Sequence, residues 1–261
     1  MTEFDSFIEE CIPGVCDGVR NGRVNIKDCG KTIIDTSLDV YPDAVIISAY
    51  GSLISGKFKE YSDIDVLVFS KYGAKWEKKC IVKDGYAIEI NKVNIFYLKD
   101  VFSFSCSIRL CVLMQAVIEG EIFYGDSRVY EKIKILAKNY MNLGPSTVES
   151  MEIDTIRANL TSKLIDIKSS EDVNLSISLG MSIYYKIITL ILLYEKQWLG
   201  YDKKIEETLN SCSSKFKMND IANAYKNLFS GEKDLLVDLI IGVLYECGGP
   251  YWNGYSRIFL K

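Results

Sequence analysis

The sequence predicts an α/β (α+β) protein in which a mixed β-sheet flanked by helices is followed by a helical bundle. Two apolar runs of strand length, at 44–50 and 63–69, lie in the first half and are bounded by turn-forming residues. In the second half the apolar residues recur at helical spacing instead. A Gly-Pro pair at 144–145 separates the two patterns. The predicted domains are therefore 1–143 and 147–261.

In the first domain the predicted elements follow from local composition. Tyr41-Pro42 ends the second helix because the residue before a proline avoids helical backbone angles. The apolar residues alternate at even positions up to Ile90 and continue at an odd position from Val93. This change predicts a bulge or turn near Lys92. In chain order the predicted elements are helices over 3–20 and 24–40, strands over 44–50, 63–69, 86–91 and 93–98, a helix over 107–120 and a short strand over 121–124.

The second domain is predicted to be helical throughout. Apolar residues from Ile153 to Ile167 are spaced by three or four, as on one face of a helix. The most apolar stretch, 181–193, is shorter than the ~20 residues that span a bilayer, which favours a soluble protein. Residues 1–10 lack the pattern of a signal peptide, so we predict a cytoplasmic location and no membrane partner. Further helices are predicted over 174–198, 203–212, 217–229 and 231–246.

The amino-acid composition limits the catalytic mechanisms and the kinds of partner that are compatible with this protein. The 261 residues include no histidine, which excludes Ser-His-Asp and Cys-His machinery and leaves proton transfer to carboxylates, lysine, tyrosine, cysteine or water. The net charge is −4 at pH 7 and the pI is about 5.2. This balance disfavours the broad basic surface of nucleic-acid-binding proteins and suits a cationic or a small neutral partner.

One segment, 51–65, combines a phosphate-receptive turn with paired carboxylates. Gly51 lets the backbone approach a ligand closely, and Ser52 begins a short predicted helix whose free amides suit a phosphate. Asp63 and Asp65 alternate with apolar residues, so they share one face of a strand about 7 Å apart. Because the strand is apolar on both faces beyond them, it is predicted to be central, and the two carboxylates need a cation such as Mg²⁺. The segment therefore predicts a site for a nucleoside triphosphate.

The order of these features resembles a known family. A strand, Gly-Ser, a spacer, Ser-Asp-Ile-Asp at 62–65 and a second apolar strand are similar to the motif of the DNA polymerase beta-type nucleotidyltransferase superfamily. The small bacterial aminoglycoside and lincosamide nucleotidyltransferases are the members that the chain resembles most. The resemblance is strong over 44–69, extends moderately to about 126, and is only architectural over the helical remainder.

The resemblance implies the remaining parts of the site. A third carboxylate is expected on a neighbouring strand, where Glu89 matches the role and Asp84, in a predicted turn, is the alternative. The carboxylates would hold two Mg²⁺ ions, with ATP or another nucleoside triphosphate as substrate. The expected catalytic and metal-binding residues are Asp63, Asp65 and Glu89, and the expected nucleotide-binding residues are Gly51, Ser52, Ser62 and Lys204.

Other positions stay open between a functional and a structural interpretation. Glu119 and Glu121 are candidates for a separate general base, or they belong to a solvated helix end. Lys203 or Lys204 reaches the triphosphate, or these lysines pair with the nearby glutamates. A set of aromatic residues in the helical half lines an acceptor pocket or belongs to the helical core. These aromatic residues are Tyr184, Tyr185, Tyr194, Trp198 and Tyr201.

We therefore predict an enzyme that transfers a nucleoside monophosphate, AMP from ATP, to a hydroxyl of a small acceptor and releases pyrophosphate. The resemblance implies an aminoglycoside-like antibiotic as the acceptor and antibiotic resistance as the role, and the acidic balance of the chain suits such a cationic acceptor. Two alternatives stay open: transfer to RNA or protein, and nucleotide binding without catalysis. The sequence is compatible with a monomer or a homodimer.

Overall fold

The computed structural model describes residues 6–7, 10–11, 26–59, 62–200 and 204–256. The chain forms two compact units, Met1–Cys106 with Cys111–Leu143 and Ser107–Leu110 with Gly144–Lys261. Residues 107–110, which the sequence places in the first domain, thus belong to the second unit. The predicted helix over 3–20 lies largely outside the described residues.

A mixed β-sheet flanked by helices forms the first unit. Its strands are β1 (Ala44–Tyr50), β2 (Ile64–Ser70), β3 (Trp76–Lys83), β4 (Tyr86–Asn94) and β5 (Glu121–Gly125). Its helices are α1 (Ile26–Val40), α2 (Gly51–Ile54), α3 (Leu98–Ser107), α4 (Val112–Glu119) and α5 (Ser127–Leu143). The order across the sheet is β3-β4-β2-β1-β5 among the described residues; β2 runs parallel to β4, and the other neighbours are antiparallel. The predicted fold class is confirmed.

The central strands β1, β2 and β4 are covered on both faces. On one face Val66 packs in the same apolar cluster as Ile33 of α1. On the other face the ring of Phe69 lies 6.3 Å from the ring of Tyr130, which belongs to α5. Because apolar residues pack on both faces, these strands have a well-defined position in the core.

Lys92 shows why one predicted irregularity is wrong. β4 continues without a break through this residue, and its pairing with β2 stays regular from Ile88 to Asn94. The Lys92 side chain is 1% exposed, and its Nζ donates hydrogen bonds to the carbonyls of Tyr72 and Ala74, at 2.6 and 2.8 Å. The alternation of apolar residues predicts a bulge near Lys92, but the strand stays regular because the buried lysine has hydrogen-bond partners for its ammonium.

The other differences in this unit concern the start of one helix and two elements that were not predicted. The helix predicted over 107–120 begins at Val112, after the separate helix α3. β3 and α5 are absent from the sequence-based expectation. β3 is an edge strand with mostly exposed residues, so its composition is polar and gives no strong strand signal.

Helices make up the second unit, as predicted. They are α6 (Ser150–Ser169), α7 (Val173–Tyr194), α8 (Lys204–Ser211), α9 (Met218–Phe229) and α10 (Asp234–Glu246). The carboxylate of Asp172 caps α7 by accepting hydrogen bonds from the backbone N–H groups of Asn174 and Leu175. Buried residues of α6 to α10 form one apolar cluster, to which Ile187 and Ile191 of α7 belong. The second unit therefore has a core of its own.

α7 is the one helix among the described residues that is long and apolar enough to cross a membrane, by length and composition alone. It has 22 residues, so the expectation from the sequence that this region is too short to span a bilayer is wrong. Its most apolar window has a mean hydropathy of 1.6 and is 44% buried inside the protein. Residues of this helix such as Ile187 and Ile191 pack in the core of the second unit. The compartment stays a prediction.

Arg157 connects α6, the helix to which it belongs, to the segment that follows α10. Its guanidinium Nε donates to the carbonyl of Gly249 at 2.8 Å, a second nitrogen donates to the carbonyl of Gly248, and a third pairs with Asp154 at 2.7 Å. The guanidinium also lies over the ring of Tyr251, 5.2 Å from its centroid. One half-buried side chain thus connects α6 to the backbone that follows α10.

We expect Arg157→Ala to lower the free energy of unfolding by about 2 kcal/mol, because it removes hydrogen bonds from a charged donor and the contact with the Tyr251 ring. Urea unfolding followed by circular dichroism measures the change. Arg128→Ala is the control, since the Arg128 side chain is 88% exposed and pairs with Asp126 at the surface. Equal midpoints for the two variants would contradict this role of Arg157.

Candidate active site

Three carboxylates meet where β2 and β4 lie side by side. Asp65 in β2 is the register partner of Glu89 in β4, and Asp63 directly precedes β2. Side chains two residues apart share a face, so Asp63 lies on the face of Asp65. One oxygen from each of the three carboxylates lies within 4.8 Å of the others. Asp63 is exposed and the other two are half-buried, so the cluster opens to solvent.

The chemistry of this donor set fits a hard divalent cation. Carboxylates this close repel one another unless a positive charge lies between them. Oxygen ligands are what Mg²⁺ prefers, and carboxylates are its usual protein ligands. The cluster also separates the two candidates for the third position: Glu89 belongs to it, whereas Asp84 accepts a hydrogen bond from Thr32 of α1 at 3.2 Å.

A polar network holds Glu89. Lys78 Nζ of β3 lies 2.6 Å from Glu89 Oε2. Asn91 Nδ2 donates to Glu89 Oε1 at 3.2 Å and to the hydroxyl of Tyr50 at 3.1 Å, and Trp76 Nε1 donates to Asn91 Oδ1 at 3.3 Å. Both carboxylate oxygens of Glu89 thus have a donor, and the carboxylate has a fixed orientation.

Two groups of this network have shifted pKa values. The hydrogen bond to Glu89 raises the pKa of the Lys78 ammonium, which therefore stays charged at neutral pH. Burial raises the pKa of the Tyr50 phenol, and the negative charges of Asp65 and Glu89 raise it further. The phenol therefore stays protonated, and its hydroxyl keeps a hydrogen to donate.

These network residues are missing from the sequence-based candidates. Lys78 and Trp76 lie on β3, which the apolar pattern does not reveal. A signal was present: Asp84-Gly85 between two runs of β-forming residues is typical of a hairpin turn. With that hairpin predicted, alternate residues of 76–82 fall on the face that carries Glu89.

Gly51 is required for a reason that the sequence does not show. Its backbone has a φ of +71°, which residues with a Cβ rarely adopt. A Cβ at this position would overlap the carboxylate of Asp65. Beyond its predicted place beside a phosphate, the glycine therefore provides the space in which Asp65 lies.

The other predicted nucleotide-binding residues occupy different settings. Ser52 is half-buried in the short helix α2. The hydroxyl of Ser62 accepts a hydrogen bond from the backbone N–H of Lys59 at 2.9 Å, so it closes the turn before β2. Lys204 begins α8 in the second unit, and its Nζ lies 3.4 Å from Glu207. Lys203 lies outside the described residues. Nucleotide binding by these residues stays a prediction.

The two candidates for a separate general base lie apart from the carboxylate cluster. Glu121 pairs with Ala49, which pairs in turn with Val66. Paired residues share a face, and Val66 lies on the face opposite Asp65, so Glu121 does too. Glu119 is an exposed residue at the end of α4. Among the described residues, neither glutamate joins the cluster.

The aromatic residues of the second unit have different settings: Tyr194 lines a cavity, Tyr184 packs against the helical core, and Tyr185 is exposed. Tyr194 lines a cavity of about 600 Å³ together with Val148, Leu193 and Gln197. The ring of Tyr184 packs edge-on against those of Tyr185 and Tyr225, with centroids 5.2 and 5.0 Å away. Tyr201 lies outside the described residues. A binding role for Tyr194 stays a prediction.

Comparison with known proteins gives limited information. No protein-family model matches the chain, and no curated protein matches its sequence. Among solved structures the chain is similar to a nucleotidyltransferase-like protein from Exiguobacterium sibiricum 255-15. The similarity covers 85% of this chain and 74% of that chain, with 15% sequence identity and a TM-score of 0.43. No family is assigned at this level, so the functional inference depends on the site.

If the cluster binds a divalent cation, we expect Gly51→Ala to weaken the binding of Mn²⁺ by roughly ten- to a hundredfold, because the new methyl group displaces the carboxylate of Asp65. Gly56→Ala is a matched control: Gly56 has a φ of +70°, and a Cβ there meets nothing within 4 Å. Both variants carry the same backbone strain, about 1–2 kcal/mol.

Isothermal titration with Mn²⁺ and urea unfolding separate the two effects. Gly56→Ala should lose stability and keep its Mn²⁺ affinity, whereas Gly51→Ala should lose both. Similar affinities in the two variants would show that Gly51 does not shape the metal site.

Proposed function

We propose that this protein is a metal-dependent nucleotidyltransferase. The observation that carries the proposal is the cluster of Asp63, Asp65 and Glu89, assembled on one sheet face with Gly51 against it. A cluster of this kind at the start of β2, next to Gly51 and Ser52, suits the chemistry of a nucleoside triphosphate and its metal. The proposed substrate is ATP, and the proposed cofactor is Mg²⁺, with two ions at the cluster.

The chain's own residues have defined parts in this proposal. Asp63, Asp65 and Glu89 hold the metal, which when bound neutralises phosphate charge and lowers the pKa of a hydroxyl nucleophile. Gly51 and Ser52 face the phosphates, through the backbone and the Ser52 hydroxyl. Asn91 keeps Glu89 in one orientation. Most of the rate enhancement then comes from positioning and charge neutralisation.

The proposed reaction balances without histidine. The oxygen of an acceptor hydroxyl forms a bond to the α-phosphorus of ATP, and the bond from that phosphorus to the β-phosphate oxygen breaks. Pyrophosphate leaves, and AMP stays on the acceptor. The hydroxyl proton passes to a carboxylate, for which Glu89 is the proposed acceptor, since Glu119 and Glu121 lie outside the cluster.

The proposed acceptor is a small hydroxylated cation of the aminoglycoside type. The net charge of −4 supports a cationic partner, and a nucleic-acid acceptor is disfavoured by the same balance. A resistance function in the cytoplasm would follow from this acceptor class. Transfer to RNA or protein and nucleotide binding without transfer are the outcomes that the experiment below distinguishes.

We expect Asp65→Asn and Glu89→Gln each to lower pyrophosphate release at least about a hundredfold, because each removes a charge that the metal needs. The assay supplies Mg²⁺, ATP and a panel of aminoglycosides and lincosamides, and mass spectrometry detects the AMP adduct. Glu121→Gln is the control, since it removes the same charge from the opposite sheet face and should keep full activity.

Each result of this assay has a clear meaning. An adduct on RNA or on a protein in parallel reactions would replace the small-molecule acceptor. Binding of ATP in a parallel titration, with no adduct on any acceptor, would show nucleotide binding without transfer. Absence of transfer with every acceptor, together with absence of Mn²⁺ binding, would refute the proposed function.

A further inference from the structure

Lys78 has a position that the proposed reaction does not explain. It lies on the edge strand β3, where it is the register partner of Asn91, and Cys80 is the partner of Glu89. All of these residues share the sheet face of the carboxylate cluster. The Lys78 side chain reaches diagonally to Glu89 Oε2, 2.6 Å from its Nζ. The ammonium therefore contacts a proposed metal ligand while the side chain stays partly exposed to solvent.

The two oxygens of Glu89 have different partners. Oε1 accepts from the amide of Asn91, a neutral donor that is itself held by Trp76. Oε2 pairs with Lys78, whose side chain is 55% exposed and therefore free to move away. A cation that approaches Glu89 from the cluster competes with Lys78 for negative charge, while the Asn91 hydrogen bond can persist.

We propose that Lys78 is the resident counter-ion of the carboxylate cluster, and that a divalent cation binds by displacing its ammonium from Glu89. This inference depends on the metal-binding role in the proposed function. The ammonium relieves the repulsion among Asp63, Asp65 and Glu89 while no metal is bound. The same contact lowers the metal affinity, because binding must break the Lys78–Glu89 pair and bring two positive charges together.

An ordinary surface ion pair is the alternative, and it makes a different prediction. Exposed pairs contribute little to stability, and their removal leaves distant equilibria unchanged. A counter-ion that shares a carboxylate with the metal affects metal binding in a definite direction. Its removal tightens binding, and a conservative replacement that keeps the charge restores the weaker affinity.

Titration of the full chain with Mn²⁺ tests this inference. We expect Lys78→Met to bind Mn²⁺ about two- to fivefold more tightly than the unmodified protein, and Lys78→Arg to bind like the unmodified protein. Lys79→Met is the matched control. Lys79 is the next residue of β3, points to the other face and lies over the ring of Tyr41, 4.9 Å from its centroid. It should change the affinity less than twofold.

A second measurement needs no substitution. Acetylation of lysines by a water-soluble ester, followed by mass spectrometry, reports how accessible each ammonium is. Addition of Mn²⁺ should raise the labelling rate of Lys78 and leave that of Lys79 unchanged. Because this measurement uses the unmodified protein, it tests the inference even when a variant fails to fold.

The outcomes separate failure of this inference from failure of the proposed function. Equal or weaker Mn²⁺ binding in Lys78→Met, or labelling of Lys78 that Mn²⁺ does not change, overturns the counter-ion role while the metal site stands. Absence of Mn²⁺ binding in the unmodified protein overturns the metal site itself and the counter-ion role with it.

Discussion

The parallel pairing of β2 with β4 is the constraint on which the site depends. Backbone hydrogen bonds set the register, and that register places Asp65 beside Glu89. A slip of one residue would carry one of these carboxylates to the opposite face. The slip is resisted by Ile64 and Ile88, which are register partners on the opposite face and are almost fully buried. The apolar core therefore holds together groups that repel one another.

The surroundings of the cluster make this repulsion tolerable. Asn91 and Lys78 donate to Glu89, and Gly51 leaves room for the carboxylate of Asp65. These contacts come from three different strands and the turn after β1, so they exist only once the sheet has formed. A site built in this way is ordered before a ligand arrives, which is what catalysis by positioning requires.

The helical unit follows a simpler principle. Its helices bury one apolar cluster, and α7 contributes residues such as Ile187 and Leu190 from several sides because it lies at the centre. A central helix is apolar over much of its surface, which is why α7 resembles a membrane span in composition while it packs as a core helix. Tyr184, in the middle of α7, packs against the ring of Tyr225, whereas Tyr194, at its end, lines a cavity.

The sequence by itself determined the elements whose side chains follow a strong apolar period. β1, β2 and the helices of the second unit belong to this group. The pairing of Asp63 with Asp65 on one strand face belongs to it as well, because alternation along a strand is visible in the chain. The apolar pattern alone did not reveal β3 or the unbroken course of β4, since an exposed edge strand has a polar composition and a buried lysine resembles an irregularity; for β3 the signal was the Asp84-Gly85 turn instead.

Only the tertiary structure decided which groups meet. Strand order and register decide that Glu89 rather than Asp84 joins the cluster. They also decide the contacts of Lys78 and Asn91, and they place Glu121 on the opposite face of the sheet. Strand order and register are set by contacts between residues distant in the chain, and local periodicity carries no information about them.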